Sequence, residues 1–321
     1  MLYLVFMVLA NRLAGAAALA ALFASPVIAG PVELTYLHDL ADFTGRIPYS
    51  DARVVVDAPR SEVYTVYGNE IRVFNKAGME IYRFEMDFSV GRVADLGIES
   101  GGDILMLLYA SGAVEGAKQW WLLRADFRGR PMGELAVDQS GDAKGLLPNR
   151  LLLRAGRIWL LSQGQMRAAS YFPDGKLERV LDLAELAGLS DEERVSAEVN
   201  GMDIGSDGTV VFAVPVQFRV HAIDPGGGVR SFGRSGSAAG NFGVLGDVAL
   251  DAEGNIFLSD RQRSVVMVFN REFRLLREAD RISNREWLAR PGALAIDPAG
   301  RLYVSQVRNR GVAVFAIAPP P

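Results

Sequence analysis

The chain has 321 residues, a formal charge of −4 and no cysteine. Without a thiol there is no disulfide, no thiolate metal centre, no haem attached through a C-x-x-C-H pair and no acylated lipoprotein anchor. The mild acidity excludes a globally basic surface of the kind that binds nucleic acid.

Residues 1–29 place Arg12 ahead of an apolar run from Leu13 to Ala24 and end in Val27-Ile28-Ala29. This order predicts an export signal cleaved between Ala29 and Gly30, leaving residues 30–321 as one domain with no membrane span. Met7 opens a more ordinary leader than Met1 does. The mature chain is expected in the periplasm or at the cell exterior, and it is long enough to bury a core without disulfides.

Next comes VELTYLHDLADF (32–43), which alternates over part of its length, and then a series of similar units. The units cover approximately 52–86, 93–137, 149–183, 200–233, 246–279 and 292–318. The last two show the kinship best, because GDVALDAEGNIFLSDRQRSVVMVFN (246–270) returns as GALAIDPAGRLYVSQVRNRGVAVFA (292–316). First strands centre near Val55, Leu96, Leu152, Asp203, Ala249 and Ala295, spaced 41 to 56 residues apart. Such a period belongs to propellers. Each unit holds four short runs rich in Val, Ile, Leu, Phe and Tyr, separated by turn residues. The first turn is the most regular, as DAEGN, DPAGR and GSDGT. Asp accepts backbone N–H bonds there and Gly supplies the positive φ.

The predicted fold is therefore all-β, a six-bladed β-propeller of four-stranded antiparallel blades. The sixth unit has only three strands, so residues 32–43 are expected to supply its fourth and close the ring. Two insertions interrupt the pattern, at 111–118 and 183–198. In the second, Ser190 and Glu193 form a capping box that predicts a short helix.

The glycine-rich stretch FGRSGSAAGNF (232–242) lacks the G-K-[ST] of a phosphate loop and leads into a strand. Its glycines are read as a tight connection between blades, with Phe232 and Phe242 packing between them. The order Phe232, Gly233, Gly236, Gly240, Phe242, Asp251, Gly254, Asn255, Ile256, Phe257, Leu258, Asp260 resembles the NHL repeat. The likeness is good in units five and six, partial in one and four, and weak in two and three. Leu245 stands where the motif usually has Pro, and Pro291 restores it in the next unit.

The resemblance implies a non-enzymatic binding platform. It also points to a place in an envelope or electron-transfer assembly, with a multihaem cytochrome assembly as one candidate partner. The RNA binding of some animal members does not transfer to an exported chain. Seven arginines are expected on one sector of one face: Arg261, Arg263, Arg281, Arg285, Arg290, Arg308 and Arg310, with Trp287 among them as an aromatic anchor. That face suits another protein or an anionic glycan, with no cofactor. The alternative is a metal-dependent hydrolase, lactonase or lyase. It would hold Ca²⁺ in the channel through Asp51, Asp95, Asn149, Asn200 and Asp247, which lie near the starts of the first strands. The two histidines, His38 and His221, fall on strands away from the channel and are read as structural.

Overall fold

The computed structural model describes residues 32–111, 118–283 and 286–318, and the predicted export signal lies outside them. Six four-stranded antiparallel sheets stand around an axis. Their inner strands are Arg53–Asp57, Arg92–Ile98, Arg150–Arg154, Gly201–Ile204, Leu245–Leu250 and Leu294–Ile296. In blades 1 to 5 the remaining strands follow in chain order outward. In blade 6 the outermost strand is Glu33–Asp39, which pairs antiparallel with Val312–Ala318 and closes the ring.

The apolar patterning explains this geometry. Middle strands meet a neighbouring blade on both faces, so they read as continuous apolar runs. Ile104–Tyr109 (ILMLLY) and Val265–Phe269 (VVMVF) are buried almost throughout. Outer strands face water, and Glu80–Glu85 (EIYRFE) has no buried residue. Instead of one central core there are inter-blade cores. Val54, Val63 and Phe74 of blade 1 pack with Tyr303, Val312 and Val314 of blade 6. Trp159 and Leu161 of blade 3 pack with Phe212 and Val214 of blade 4.

The glycine-rich connection behaves as its composition suggests. Gly233 has φ +109°, and a Cβ there would lie 2.1 Å from the Phe242 ring. Phe242 meets Phe232 edge-on at 5.8 Å, and Phe232 stacks on Phe273 of blade 5 at 4.4 Å. The 183–198 insertion holds Leu183–Leu186 and Asp191–Arg194, the second with its Ser190–Glu193 capping box. Residues 112–117 of the other insertion lie outside the described residues.

One boundary differs from the expectation. The closing strand ends at Asp39, short of residue 43. Leu40 turns into the blade 6–blade 1 core, and Ala41–Asp42 pairs back on Gly45–Arg46. Asp42 Oδ1 accepts the Thr44 N–H at 2.7 Å, a local turn that outcompetes strand continuation. This hairpin delivers Arg46 to the face where the inner strands begin, here called the upper face.

Candidate functional site on the upper face

The upper face carries two adjoining hollows that share Arg261. One is a funnel of about 390 Å³ at the ring centre, and the other is a rim hollow of about 980 Å³ over blades 5 and 6.

The funnel floor is built by aspartates on inner strands. Asp95 Oδ1 accepts its own neighbour's N–H (Leu96, 3.0 Å), while Oδ2 accepts the Leu151 N–H of blade 3 at 3.0 Å. Asp247 repeats this with Val248 (2.9 Å) and Leu294 of blade 6 (3.1 Å). Lower in the channel, Asp203 does the same with Ile204 and with Leu250 of blade 5, both at 2.9 Å. These carboxylates latch blade 2 to 3, 4 to 5 and 5 to 6.

Two arginines from other blades close the floor. Arg53 of blade 1 lies 3.5 Å from Asp95 and 3.8 Å from Asp247. Arg150 of blade 3 lies 3.3 Å from Asp95 and 3.6 Å from Asp247. The four charges cancel. Burial nevertheless pushes the Asp247 carboxyl up to about 6, against the lowering effect of Arg53. Burial raises Asp95 as well, again opposed by Arg53.

The other sequence-derived funnel residues form its wall. Asp51, at φ +67°, accepts from Arg261 Nη2 at 2.7 Å. Gly292 faces it, and a Cβ there would sit 1.9 Å from Asp51 Oδ1, so only glycine lets blades 6 and 1 approach this closely. Asn149 and Gln163 bond reciprocally (Asn149 Nδ2 to Oε1, 2.8 Å; Gln163 N to Oδ1, 3.0 Å). Gln163 Nε2 donates to Asn200 O at 2.6 Å, and Asn200 Nδ2 donates to Leu245 O at 2.7 Å. Thus Asp51, Asn149, Asn200 and Asp247 line one funnel, and Asp95 lies against Arg53 and Arg150 at its floor. Among the described residues, however, no three acidic or histidine side chains meet at metal-ligating distance.

The rim hollow is lined by Arg46, Arg261, Arg290, Arg308 and Arg310 against a single carboxylate, Glu286. Glu286 pairs with Arg310 and with Arg46, the latter at 3.1 Å. Arg290 and Arg308 both sit at positive φ and have no carboxylate partner among the described residues. Arg281 lies over the Trp287 ring, 3.7 Å from its centroid, and leaves that indole half-exposed in the hollow wall. Arg263 does not join them. It turns outward to Glu278 of the fourth strand, with Nη1 donating to Asn241 O at 2.6 Å. Arg285 lies outside the described residues.

Sequence reasoning missed Arg46, Arg53, Arg150 and Gln163. A signal for the middle two was available. RVVVD and RLLLR each open an inner strand on an arginine ahead of three apolar residues. A charge so placed must either meet a partner across the ring or face the channel.

The histidines lie elsewhere. His38 is on the outermost strand of blade 6. His221, on the third strand of blade 4, stacks on Phe212 at 5.0 Å and pairs with Gln217 at 3.0 Å. Burial first, and Arg219 second, lower its pKa to about 4.

The fold thus defines the class: a six-bladed β-propeller with a polar, arginine-framed upper face. No protein-family model matches the chain. No curated protein matches it. Solved structures do. An auxiliary nutrient binding protein from Bacteroides ovatus aligns at 14% identity and TM-score 0.61, over 90% of this chain and 76% of that one. A luciferin-regenerating enzyme aligns at 13% and 0.58, over 89% and 95%. A catalytically inactive histidine-to-alanine variant of virginiamycin B lyase from Staphylococcus aureus, solved with quinupristin, aligns at 12% and 0.54, over 85% and 84%. At such identities the likeness is one of fold.

Proposed function

We propose that the protein is an exported, non-enzymatic interaction module related to NHL-repeat propellers, whose rim hollow docks a carboxylate- or sulfate-bearing partner. One observation carries this reading: five arginines frame the hollow around one carboxylate, and Arg290 and Arg308 are unpaired among the described residues. Arginine presents a planar fork to such anions, and Trp287 beside it supplies an apolar anchor. The similar structures include enzymes, one of them inactivated by loss of a histidine. Here both histidines belong to blade packing, away from both upper-face hollows, which favours binding over catalysis.

The test uses alginate and polyglutamate as carboxylate probes. The parent should bind at low salt and release as salt rises, because exposed charges are screened. A double variant, Arg290→Gln with Arg308→Gln, should lose about tenfold in affinity and most of the salt dependence. Equal binding by parent and variant would reduce the basic rim to a solvated surface. Export is checked separately, by mass analysis of the mature chain: a start at Gly30 is expected, and retention of residues 13–29 would sink it.

A further inference from the structure

The Arg53 and Arg150 guanidinium groups have an unusual inventory. Arg150 is buried, only 7% exposed, and Arg53 is partly buried beside it. The Nε of each is buried without a hydrogen-bond partner, and no N–H of either side chain donates to any described group. Their contacts with Asp95 and Asp247, at 3.3 to 3.8 Å, are charge contacts without hydrogen-bond geometry. Each aspartate oxygen already accepts one backbone N–H. Buried donors of this kind are ordinarily satisfied. Here two such Nε groups lie close together, and the guanidinium forks that carry them converge at the bottom of a funnel that opens to solvent.

The wall has the opposite inventory. Asn200 spends Nδ2 on Leu245 O, which leaves its Oδ1 as an unspent acceptor. Glu198 lines the same funnel, exposed and without a cationic partner among the described residues. A molecule that fills the funnel must therefore bring acceptors to the floor and donors to the wall. At about 390 Å³ the space is at the small end of ligand sites.

We infer that the central funnel is a binding site for a small hydroxylated carboxylate, held by its carboxylate between the Arg53 and Arg150 forks and by its hydroxyls on Asn200 and Glu198. The site is separate in place and in ligand from the rim hollow. A carboxylate satisfies guanidinium forks bidentately, with charge-assisted hydrogen bonds.

Charge balance then demands a proton. The unliganded floor holds two positive and two negative charges. An incoming anion leaves it one negative charge in excess, beside two carboxylates whose ionised form burial already disfavours. Uptake of one proton from solvent by Asp247 restores neutrality. The groups facing Asp247 are Arg53 of blade 1, Asp95 of blade 2, Arg150 of blade 3 and Arg261 of its own blade, with Glu198 and the Arg261-paired Asp51 higher in the funnel. The Asp247 carboxyl, already raised by burial, is the group poised to take it up. Binding should therefore strengthen as pH falls through that range.

Calorimetric titration of the full mature protein with gluconate, acetate and glucose, at pH 5.0 and 7.5, tests this. Gluconate should bind at pH 5.0 and at least about tenfold more weakly at pH 7.5. Acetate should bind more weakly than gluconate, and glucose should not bind. Arg150→Gln should abolish gluconate binding. Because that change touches an inter-blade cluster, Asp247→Asn provides a second arm. It mimics the protonated floor and should bring gluconate affinity at pH 7.5 up to the pH 5.0 value. Glucose binding as tightly as gluconate would show a neutral polyol site and overturn the inference. So would gluconate affinity equal at both pH values, or no binding of either carboxylate in the millimolar range.

Discussion

Removing residues 32–39, so that the chain begins at Leu40, should cost ~5 kcal/mol, comparable with the whole stability of an ordinary domain. The strand Glu33–Asp39 is the outer wall of blade 6, paired along its length with Val312–Ala318. Without it Val312–Ala318 becomes an open edge, and open edges invite pairing with other chains. Val32, Leu34 and Tyr36 also leave the core between blades 5 and 6, where Tyr36 packs edge-on against Phe315 at 5.9 Å. Arg277 loses Glu33 at 3.0 Å, although so exposed a pair adds little. The loss is large because blade 6 is also the partner of blade 1. Each interface in a ring needs both neighbours in place, so an unlatched blade weakens two of them. Denaturant unfolding and binding of a hydrophobic dye should report it together: a lower midpoint and new apolar surface. An unchanged midpoint would show that the segment is an arm laid on a ring closed by other means.

The ring was legible because repetition is a local property of sequence. The missing strand was found by counting: five units supplied four strands and the sixth supplied three. The end of that strand at Asp39 was less visible. The segment 32–43 alternates over only part of its length, and the Asp42–Thr44 turn and the inward Leu40 set its end. The upper face was legible as a place and not as a pattern of pairing. Arg261 and Arg263 look equivalent within SDRQRS. In the fold, Asp260 Oδ1 accepts the N–H of both Gln262 and Arg263 and bends the loop. Arg261 is thereby sent inward to Asp51, and Arg263 outward to Glu278. The floor quartet was harder still. Arg53, Asp95, Arg150 and Asp247 come from four blades, and no short motif encodes a contact made across the axis of a ring.

Stability should vary little with pH between about 4 and 6.5 as far as His221 and Asp247 are concerned, because their two slopes oppose each other there. His221 has its pKa lowered by burial to about 4. Its contribution is present above the unfolded value near 6.5 and is lost as pH falls through the folded one. Asp247 has its pKa raised by burial to about 6. Its contribution is present below the unfolded value near 4 and is lost as pH rises through the folded one. A displacement of about two units is worth about 3 kcal/mol in each case. Both residues are at most 3% exposed, so solvent screening removes little of this. Single variants should unmask the slopes. With His221→Gln the His221 term is removed, so stability relative to the parent should fall by about 3 kcal/mol as pH rises from 4 to 6.5. With Asp247→Asn the Asp247 term is removed, so relative stability should fall by about 3 kcal/mol as pH falls from 6 to 4. Other carboxylates contribute to parent and variants alike, so the quantity to compare is the variant-minus-parent difference in urea unfolding at each pH. Slopes of opposite sign are expected. A difference independent of pH in either variant would mean that its group titrates normally in the folded chain. For Asp247 that result would also remove the proton acceptor on which the funnel's carboxylate binding depends.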